Sequence, residues 1–184
     1  MNIKIDKNWT LFLDRDGVIN KKIDNDYVKK WSDFIFIEGV LEAISFLSNI
    51  FGLIIVVTNQ RGVGKGLMTE EDLNCIHHKM SEEIKSNSGN LDKIYFCTHV
   101  SNKSEFRKPN IGMANMALRD FPNIDFQKSI MVGDSDSDIV FGQKLGMMCV
   151  KISNEKNLLN QGFVVHESLF DFSISVKNKT FINF

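Results

Sequence analysis

The chain has 184 residues, 43% of them hydrophobic and 24% charged, and a formal net charge of −1 at pH 7. This ordinary globular composition excludes a mainly disordered chain and predicts a single domain over residues 1–184. The near-neutral charge balance argues against sequence-independent binding of nucleic acid, so we expect no nucleic-acid partner. We also expect the protein to be a monomer.

The cysteine pattern indicates a reducing compartment, and the hydropathy of the chain predicts neither a secretory signal nor a membrane span. The three cysteines, Cys75, Cys97 and Cys149, are odd in number and widely spaced, so they predict neither a disulfide framework nor a complete zinc site. The first residues, MNIKIDKNWT, lack the apolar stretch of a secretory signal, and no run approaches the roughly 18 apolar residues of a membrane span. We therefore expect a cytoplasmic protein with no membrane partner.

Short apolar runs alternate with longer segments of helical periodicity, a pattern that predicts βα units and a central parallel sheet flanked by helices. The predicted strands, in chain order, are Thr10 to Leu13, Leu53 to Val57, Ile94 to Phe96, Ser129 to Val132 and Met148 to Ile152. The fold class is therefore α/β.

Four helices are predicted between these strands from apolar residues at i, i+3 and i+4 spacing. They are Glu38 to Phe51, a segment capped by Thr69 with the buried stripe Leu73, Ile76, Met80 and Ile84, a segment after Pro109 with Met113, Met116 and Ala117 facing inward, and Ser135 to Leu145 with Gly146 as terminator. On the second helix we interpret His77 as a packing residue and His78 as a surface residue. The tail, residues 153–184, is expected to pack on the core as an edge strand or a short helix.

Polar residues follow the predicted strands at their carboxyl ends, where ligands gather in open parallel sheets. The groups are Asp14-Arg15-Asp16-Gly17 after the first strand, Thr58-Asn59 after the second, Gly133-Asp134-Ser135-Asp136-Ser137-Asp138 after the fourth, and Arg107-Lys108 before the third helix. Carboxylates brought together from distant strands form a hard oxygen site that suits Mg²⁺ with phosphate oxygens and water. Lysine and threonine donors beside them suit the oxygens of a phosphoryl group in transfer.

Two other interpretations of these motifs fail. The turn VTNQRGVGKG resembles half of a nucleotide phosphate loop, but Asn59 and Gly66 stand where that motif needs its first glycine and its hydroxyl. The run from Asp134 begins like a calcium loop, but Ile139 and Leu145 stand where the turn glycine and the bidentate Glu must be.

The four motifs, in this order, resemble those of the haloacid dehalogenase-like (HAD) phosphatases over Leu11 to about Val150. Asp14-Arg15-Asp16-Gly17 is similar to their D-x-D-G motif, and Gly133-Asp134 with Asp138 is similar to their G-D-x-x-x-D motif. More narrowly, the stretches FLDRDGVIN, TNQ-x-G and RKP resemble the branch of histidinol-phosphate and heptose 1,7-bisphosphate phosphatases. The resemblance implies a Rossmann-like HAD fold with no separate cap domain.

The resemblance also implies a Mg²⁺-dependent phosphatase that forms an aspartyl-phosphate. Asp14 would be the nucleophile, and Asp16 would protonate the leaving alkoxide and then activate water. Asp14, the backbone carbonyl of Asp16 and Asp134 would hold Mg²⁺. Asp138 would orient a metal-bound water or pair with Lys108.

Phosphate binding is implied for Thr58 and Lys108, which complete the catalytic set. The residues implied to bind substrate are Asn59, Gln60, Arg61, Arg107 and Lys108. Most relatives have a small residue where this chain has Arg61, which is either a solvated loop charge or a second anion contact. An anion contact would favour a bisphosphate substrate.

Relatives commonly carry a zinc loop ahead of RKP, with C-x-H first and C-x-C second. Here Cys97-Thr98-His99 keeps the first half, whereas Ser104-Glu105-Phe106 replaces the second. Two ligands cannot complete a tetrahedral structural site, so zinc is predicted to be absent.

The expected activity is hydrolysis of a phosphate monoester of a small metabolite, with D-glycero-D-manno-heptose 1,7-bisphosphate as leading substrate and its 7-phosphate as the group removed. Histidinol phosphate is an alternative, against which Arg61 and Arg107 argue because that substrate carries a cationic amine. A 3′-phosphatase acting on nucleic-acid ends is a second alternative, and the neutral net charge argues against it. A non-catalytic binding domain of the same fold is a third, opposed by the intact motif set.

Overall fold

The computed structural model describes residues 4–155 and 162–179, and its centre is a parallel sheet of six strands in the order β3-β2-β1-β4-β5-β6. The strands are β1 (Thr10–Leu13), β2 (Leu53–Asn59), β3 (Lys93–Cys97), β4 (Ser129–Gly133), β5 (Met148–Ile152) and β6 (Val164–His166). The first five correspond to the predicted strands, although β2, β3 and β4 extend one or two residues beyond the predicted ends. The predicted α/β class with a central parallel sheet is confirmed.

Six α-helices connect and flank the strands in the described ranges. They are α1 (Val40–Ile50), α2 (Arg61–Gly64), α3 (Glu70–Ser86), α4 (Gly112–Asp120), α5 (Asp136–Lys144) and α6 (Leu169–Asn178), with short 3-10 turns at Trp31–Asp33 and Phe126–Lys128. All four predicted helices are present, and the glycine-rich turn after β2 forms the short helix α2. None of these helices combines the length and the apolar character needed to cross a bilayer.

Side chains of β1 alternate between two apolar layers, because successive residues of a strand point to opposite faces. Leu11 and Leu13 join one cluster with buried residues of α1, α3 and α6, and Phe12 joins a second cluster with residues of α4 and α5. Helices therefore cover both faces of the sheet, and no separate cap domain occurs in the part of the chain that the structure describes.

Helix α3 shows how local sequence sets the position of one element. Thr69 accepts a hydrogen bond from the backbone N–H of Asp72, and the Asp72 side chain accepts one from the Thr69 N–H, which closes a capping box. Losing such a cap costs about 1 kcal/mol. The predicted stripe Leu73, Ile76, Met80 and Ile84 is at most 1% exposed. His77 lies on this buried face as well, and His78 is exposed.

The described part of the tail contains both elements that were considered for it. Strand β6 pairs in parallel with β5, and α6 packs beside α1 with Phe172 fully buried. The remainder of the predicted tail, residues 156–161 and 180–184, lies outside the described residues.

Candidate active site

The loop after β1 is shaped by one close approach to the loop after β4. The backbone N–H of Asp14 donates to the carbonyl of Val132 at 2.9 Å, which places Asp14 at the end of both strands. Gly17 has a φ of +90°, and a Cβ added there would lie 2.5 Å from Oδ2 of Asp134. Only glycine allows the two loops to pass so closely, and their carboxylates meet as a result.

Three carboxylates cluster at this point. One oxygen each from Asp14, Asp134 and Asp138 lies within 4.8 Å of the others. The Nζ of Lys108 lies 2.8 Å from Asp14 Oδ1 and 2.5 Å from Asp138 Oδ1, and it also donates to the carbonyl of Val57. Since Lys108 and Asp138 are 3% and 0% exposed, this is a buried ion pair beside the cluster.

The electrostatics of the cluster follow from burial and like charge. The pKa of Asp14 is raised to about 7, mainly by burial and also by the neighbouring carboxylates Asp138 and Asp16, although the Lys108 charge acts to lower it. Burial acts to lower the pKa of Lys108, but the carboxylates Asp138 and Asp14 outweigh burial and raise it, so the ammonium stays protonated. A cation placed among these carboxylates would favour the ionised form of Asp14.

The donor set fits a small hard cation. Carboxylate oxygens from Asp14 and Asp134, on two separate loops, are the ligand type that Mg²⁺ prefers. Asp138 is the less available member, because its Oδ2 accepts from the N–H and the hydroxyl of Ser135 and its Oδ1 faces Lys108. Lys22 reaches the cluster from the other side, with its Nζ 2.6 Å from Asp134 Oδ2.

Asp16 is held separately from the cluster by three donor side chains. Arg15 Nη2 donates to both of its oxygens at 2.8 and 2.9 Å, Asn20 Nδ2 donates to Oδ1 at 2.9 Å, and Gln60 Nε2 donates to Oδ2 at 2.8 Å. Burial alone would raise the pKa of Asp16, but the Arg15 charge and these hydrogen bonds outweigh it and lower the pKa. The carboxylate is therefore ionised in this structure.

Behind Asp16, the Arg15 side chain is fully buried, and its Nη1 lies 3.1 Å from Nε2 of His77. Burial first, and then the Arg15 charge, lower the pKa of His77 to about 3. Sequence reasoning missed this pair. A signal was present, because Arg15 lies between the apolar runs Leu11–Leu13 and Val18–Ile19, where a charge is buried only with partners.

A cavity of about 300 Å³ opens over these groups. Its lining includes, among the predicted site residues, Asp14, Asp16, Thr58, Asn59, Arg61, Arg107, Lys108, Asp134 and Asp138. Gln60 lies beneath the cavity, 1% exposed, where its amide contacts Asp16 and the hydroxyl of Thr58. Ile23, Tyr27 and Val28 line the cavity as well and give it one largely apolar wall.

Two arginines that line the same cavity share one acceptor. Arg61 Nη2 and Arg107 Nε both donate to Oδ1 of Asn102, the latter at 3.3 Å. Burial and the nearby Arg61 charge lower the pKa of Arg107, which shows that the two cations lie close together. Two guanidinium groups held side by side have the charge and the donors that suit binding of an anion.

The segment that resembles half a zinc loop is closed by hydrogen bonds among its own side chains. Ser104 Oγ lies 2.5 Å from His99 Nδ1 and 3.9 Å from the sulfur of Cys97. Ser104 thus ties the loop to the end of β3. The absence of zinc stays a prediction.

A parallel sheet with carboxylates from the first and fourth strand ends, a threonine from the second and a lysine opposite them defines a HAD-like phosphatase. Comparison with known families agrees: the chain belongs to the polynucleotide kinase 3 phosphatase family, whose model matches residues 10–177. It is therefore an enzyme of the phosphoric monoester hydrolase class.

Curated relatives narrow the comparison. The D-glycero-alpha-D-manno-heptose-1,7-bisphosphate 7-phosphatase of Burkholderia mallei is 40% identical over 149 residues, which is 77% of this chain and 77% of the relative. The beta-anomer enzyme of Vibrio cholerae is 39% identical over 145 residues, covering 74% of this chain and 76% of the relative. Relatives named for the alpha anomer and for the beta anomer are therefore similar to this chain at almost the same sequence identity.

Solved structures share the fold. The D,D-heptose 1,7-bisphosphate phosphatase from B. bronchiseptica, complexed with magnesium and phosphate, superposes with a TM-score of 0.84 at 28% identity and covers 93% of this chain and 99% of its own. The corresponding enzyme from Burkholderia thailandensis gives a TM-score of 0.67 at 27% identity, covering 91% of this chain and 97% of its own.

Proposed function

We propose that this protein is a Mg²⁺-dependent phosphatase that removes the 7-phosphate of D-glycero-D-manno-heptose 1,7-bisphosphate through an aspartyl-phosphate intermediate. The observation that carries the proposal is the meeting of Asp14, Lys108 and Asp134 at the floor of one cavity whose wall holds two adjacent arginines. The names of the relatives from Burkholderia mallei and Vibrio cholerae support the substrate.

Asp14 is the proposed nucleophile. Its oxygen forms a bond to phosphorus while the bond from phosphorus to the sugar oxygen breaks, and Asp16 gives that oxygen a proton. Asp16 is ionised before substrate binds, but a phosphate dianion arriving beside it raises its pKa and so favours the protonated form that this step needs.

Hydrolysis of the intermediate reverses the role of Asp16. The carboxylate takes a proton from water, the water oxygen bonds to phosphorus, and the bond from phosphorus to Asp14 breaks, which returns the free carboxylate and inorganic phosphate. Thr58, Asn59 and the Lys108 ammonium hold the phosphoryl oxygens through both steps.

Asp14, Asp134 and the backbone carbonyl of Asp16 would hold Mg²⁺, with Asp138 paired to Lys108 beside them. When bound, the ion supplies positive charge to the phosphoryl oxygens and offsets the repulsion among the carboxylates. The B. bronchiseptica structure with magnesium and phosphate supports this choice of metal.

Arg61 and Arg107 are proposed to bind the second phosphate of the substrate, the one that is not transferred. Their shared acceptor, Asn102, is neutral, so both positive charges remain for an anion. Charge-assisted hydrogen bonds of this kind contribute about 1.5–3 kcal/mol each. A bisphosphate therefore gains more from this wall than a monophosphate with a cationic tail, which disfavours histidinol phosphate.

The description of the matching family names a polynucleotide 3′-phosphatase, so hydrolysis of 3′-phosphates on nucleic-acid ends is the second candidate activity. The net charge of −1 disfavours it, because such substrates bind largely through phosphate contacts to a basic surface. Including a 3′-phosphorylated oligonucleotide in the substrate panel separates the two.

The enzyme proposal is tested by phosphate release with Mg²⁺ over a panel of both anomers of heptose 1,7-bisphosphate, histidinol phosphate and the oligonucleotide. Wild type should give its highest kcat/KM on one heptose bisphosphate, and Asp14→Asn should lower it by about 10³-fold or more. Equal activity of the two proteins, or none in wild type, would refute the proposal.

The second-phosphate site has a matched control in the same loop. Arg61→Gln and Arg107→Gln should each lower kcat/KM by about 10-fold on the bisphosphate. On a heptose 7-monophosphate, kcat/KM should stay within about 2-fold of the wild-type value. Lys65→Gln removes a charge from the same turn as Arg61, but the Lys65 ammonium lies over the Tyr27 ring and Lys65 does not line the cavity. This variant should leave kcat/KM unchanged on both substrates.

A further inference from the structure

The carboxylate of Asp16 rests on a buried chain of contacts that crosses the core. Arg15 Nη2 donates to both Asp16 oxygens, and Arg15 Nη1 meets Nε2 of His77, which is 62 residues away on helix α3. We propose that Arg15 and His77 are positioning residues: His77 holds the Arg15 guanidinium, and Arg15 holds Asp16 in the orientation needed to activate water. This inference rests on the proposed function, because it concerns the hydrolysis of the aspartyl-phosphate.

The direction of the Arg15–His77 hydrogen bond is fixed by chemistry. A guanidinium has five donors and no acceptor, so Nε2 of His77 must accept and carries no proton. The imidazole is therefore neutral, which agrees with its low pKa. A neutral ring adds no charge behind Asp16 and acts on it only through Arg15.

His77 is well placed to hold Arg15 still. It is 5% exposed on the buried face of α3, and its ring packs against Phe96 with the centroids 5.5 Å apart. The helix is capped at Thr69 and packed along its whole apolar stripe, so the acceptor nitrogen moves with a rigid element. If the acceptor is removed, a buried N–H of Arg15 loses its partner and the guanidinium must turn to find another.

Stability alone explains this arrangement poorly. An Arg–Asp pair whose arginine is fully buried gains little over well-packed apolar residues, because the guanidinium loses its hydration. Arg15 is fully buried and its Nε has no hydrogen-bond partner among the described residues, which adds to the cost. A histidine on an otherwise apolar stripe is likewise costly, so the pair fits a role in orienting Asp16.

Orientation matters most in the second chemical step. Water must attack phosphorus opposite the Asp14–phosphorus bond, so the carboxylate that removes its proton has to point along one direction. With an aryl phosphate the leaving group needs no proton, so kcat/KM depends little on Asp16, whereas kcat reports hydrolysis of the intermediate. Misplacing Asp16 should therefore lower kcat and KM together on such a substrate.

The test uses p-nitrophenyl phosphate with saturating Mg²⁺ and compares His77→Leu, His77→Gln and Asp16→Asn with wild type. Asp16→Asn should lower kcat the most and so gives the upper limit of the effect. His77→Leu should lower kcat by about 10-fold while kcat/KM stays within about 2-fold of the wild-type value. Acid quenching during turnover should show that phosphorylated protein accumulates in Asp16→Asn and in His77→Leu. His77→Gln, which keeps an acceptor, should restore kcat to within about 3-fold of wild type.

Met80→Leu is the matched control, because it exchanges one buried apolar side chain of the same stripe for another, keeps His77 as the acceptor for Arg15, and should leave both constants unchanged. If His77→Leu does not fold, His77→Asn, whose amide is too short to reach the guanidinium, takes its place.

The outcomes separate this inference from the proposed function. A wild type that is inactive on p-nitrophenyl phosphate and on the phosphate-ester panel given above refutes both. An active wild type with a kcat effect in Asp16→Asn, but equal losses of kcat and kcat/KM in His77→Leu, or no loss, overturns the positioning role and leaves the phosphatase intact. No kcat effect in Asp16→Asn overturns the positioning role together with the role given to Asp16.

Discussion

His77 should make the stability of this protein depend on pH in a way that a single substitution removes. In the folded state its pKa is about 3, because burial and the Arg15 charge oppose protonation, whereas the ordinary value is 6.5. Between these two values the unfolded chain binds a proton at this site and the folded chain does not. The free energy of unfolding therefore falls as pH decreases from 6.5 toward 3.

The size of the effect follows from the shift. Each pH unit below 6.5 costs about 1.4 kcal/mol, so His77 should account for a loss of about 2 kcal/mol between pH 7 and pH 5. Carboxylates in the site also titrate with pH, but their contribution is common to wild type and to a variant that changes only His77.

The assay is urea unfolding of wild type and His77→Gln at pH 7 and pH 5, followed by tryptophan fluorescence and far-ultraviolet circular dichroism. Glutamine keeps a neutral acceptor for Arg15 and cannot be protonated in this range. The difference in unfolding free energy between the two proteins should change by about 2 kcal/mol between the two pH values, in the direction that favours His77→Gln at pH 5. Parallel pH dependence of the two proteins would show that His77 is not the buried neutral base described here.

Three further results are expected. Gly17→Ala should destabilise the fold by more than Gly66→Ala, since both positions have positive φ but only the first would place a methyl group against Asp134, and thermal unfolding of both variants measures the difference. Lys108→Met should lower kcat/KM by about 10²-fold and raise the KM for phosphate esters, because Asp14 loses its buried cation; unchanged steady-state kinetics would contradict this. Mg²⁺ at about 100 times its Kd should raise the Tm of wild type by about 5 °C or more, and a shift of the same size in Asp134→Asn would argue against the metal site.

Much of the fold could be predicted because its central strands are short and buried on both faces. All four residues of β1 are buried, and the predicted bounds of β1 and β5 match the structure residue for residue. Such strands read as continuous apolar runs, and helices such as α3 read as regular stripes. The rule that ligands gather at strand ends then brought Asp14 and Asp134 together across 120 residues of sequence.

The contacts around Asp16 could not be predicted in the same way. The apolar runs around Arg15 indicate that its charge is buried, but they do not identify its partner, because His77 lies on a helix whose angle to β1 is set only by tertiary packing. The burial of Gln60 beneath the cavity and the reach of Lys22 to Asp134 depend likewise on loop geometry. Side-chain networks that cross between elements leave no periodic trace in a sequence.

If Arg61 and Arg107 bind the second phosphate as proposed, the choice of substrate depends on one neutral side chain, their shared acceptor on the cavity wall. Asn102 supports Arg61 and Arg107 through a single oxygen, and aspartate has nearly the same shape but carries a negative charge. Exchanging the amide for a carboxylate would leave the two guanidinium groups in place and cancel much of their attraction for an anion. A descendant of this protein could therefore lose the proposed preference for compounds with two phosphates through one amino-acid replacement, without rebuilding the pocket.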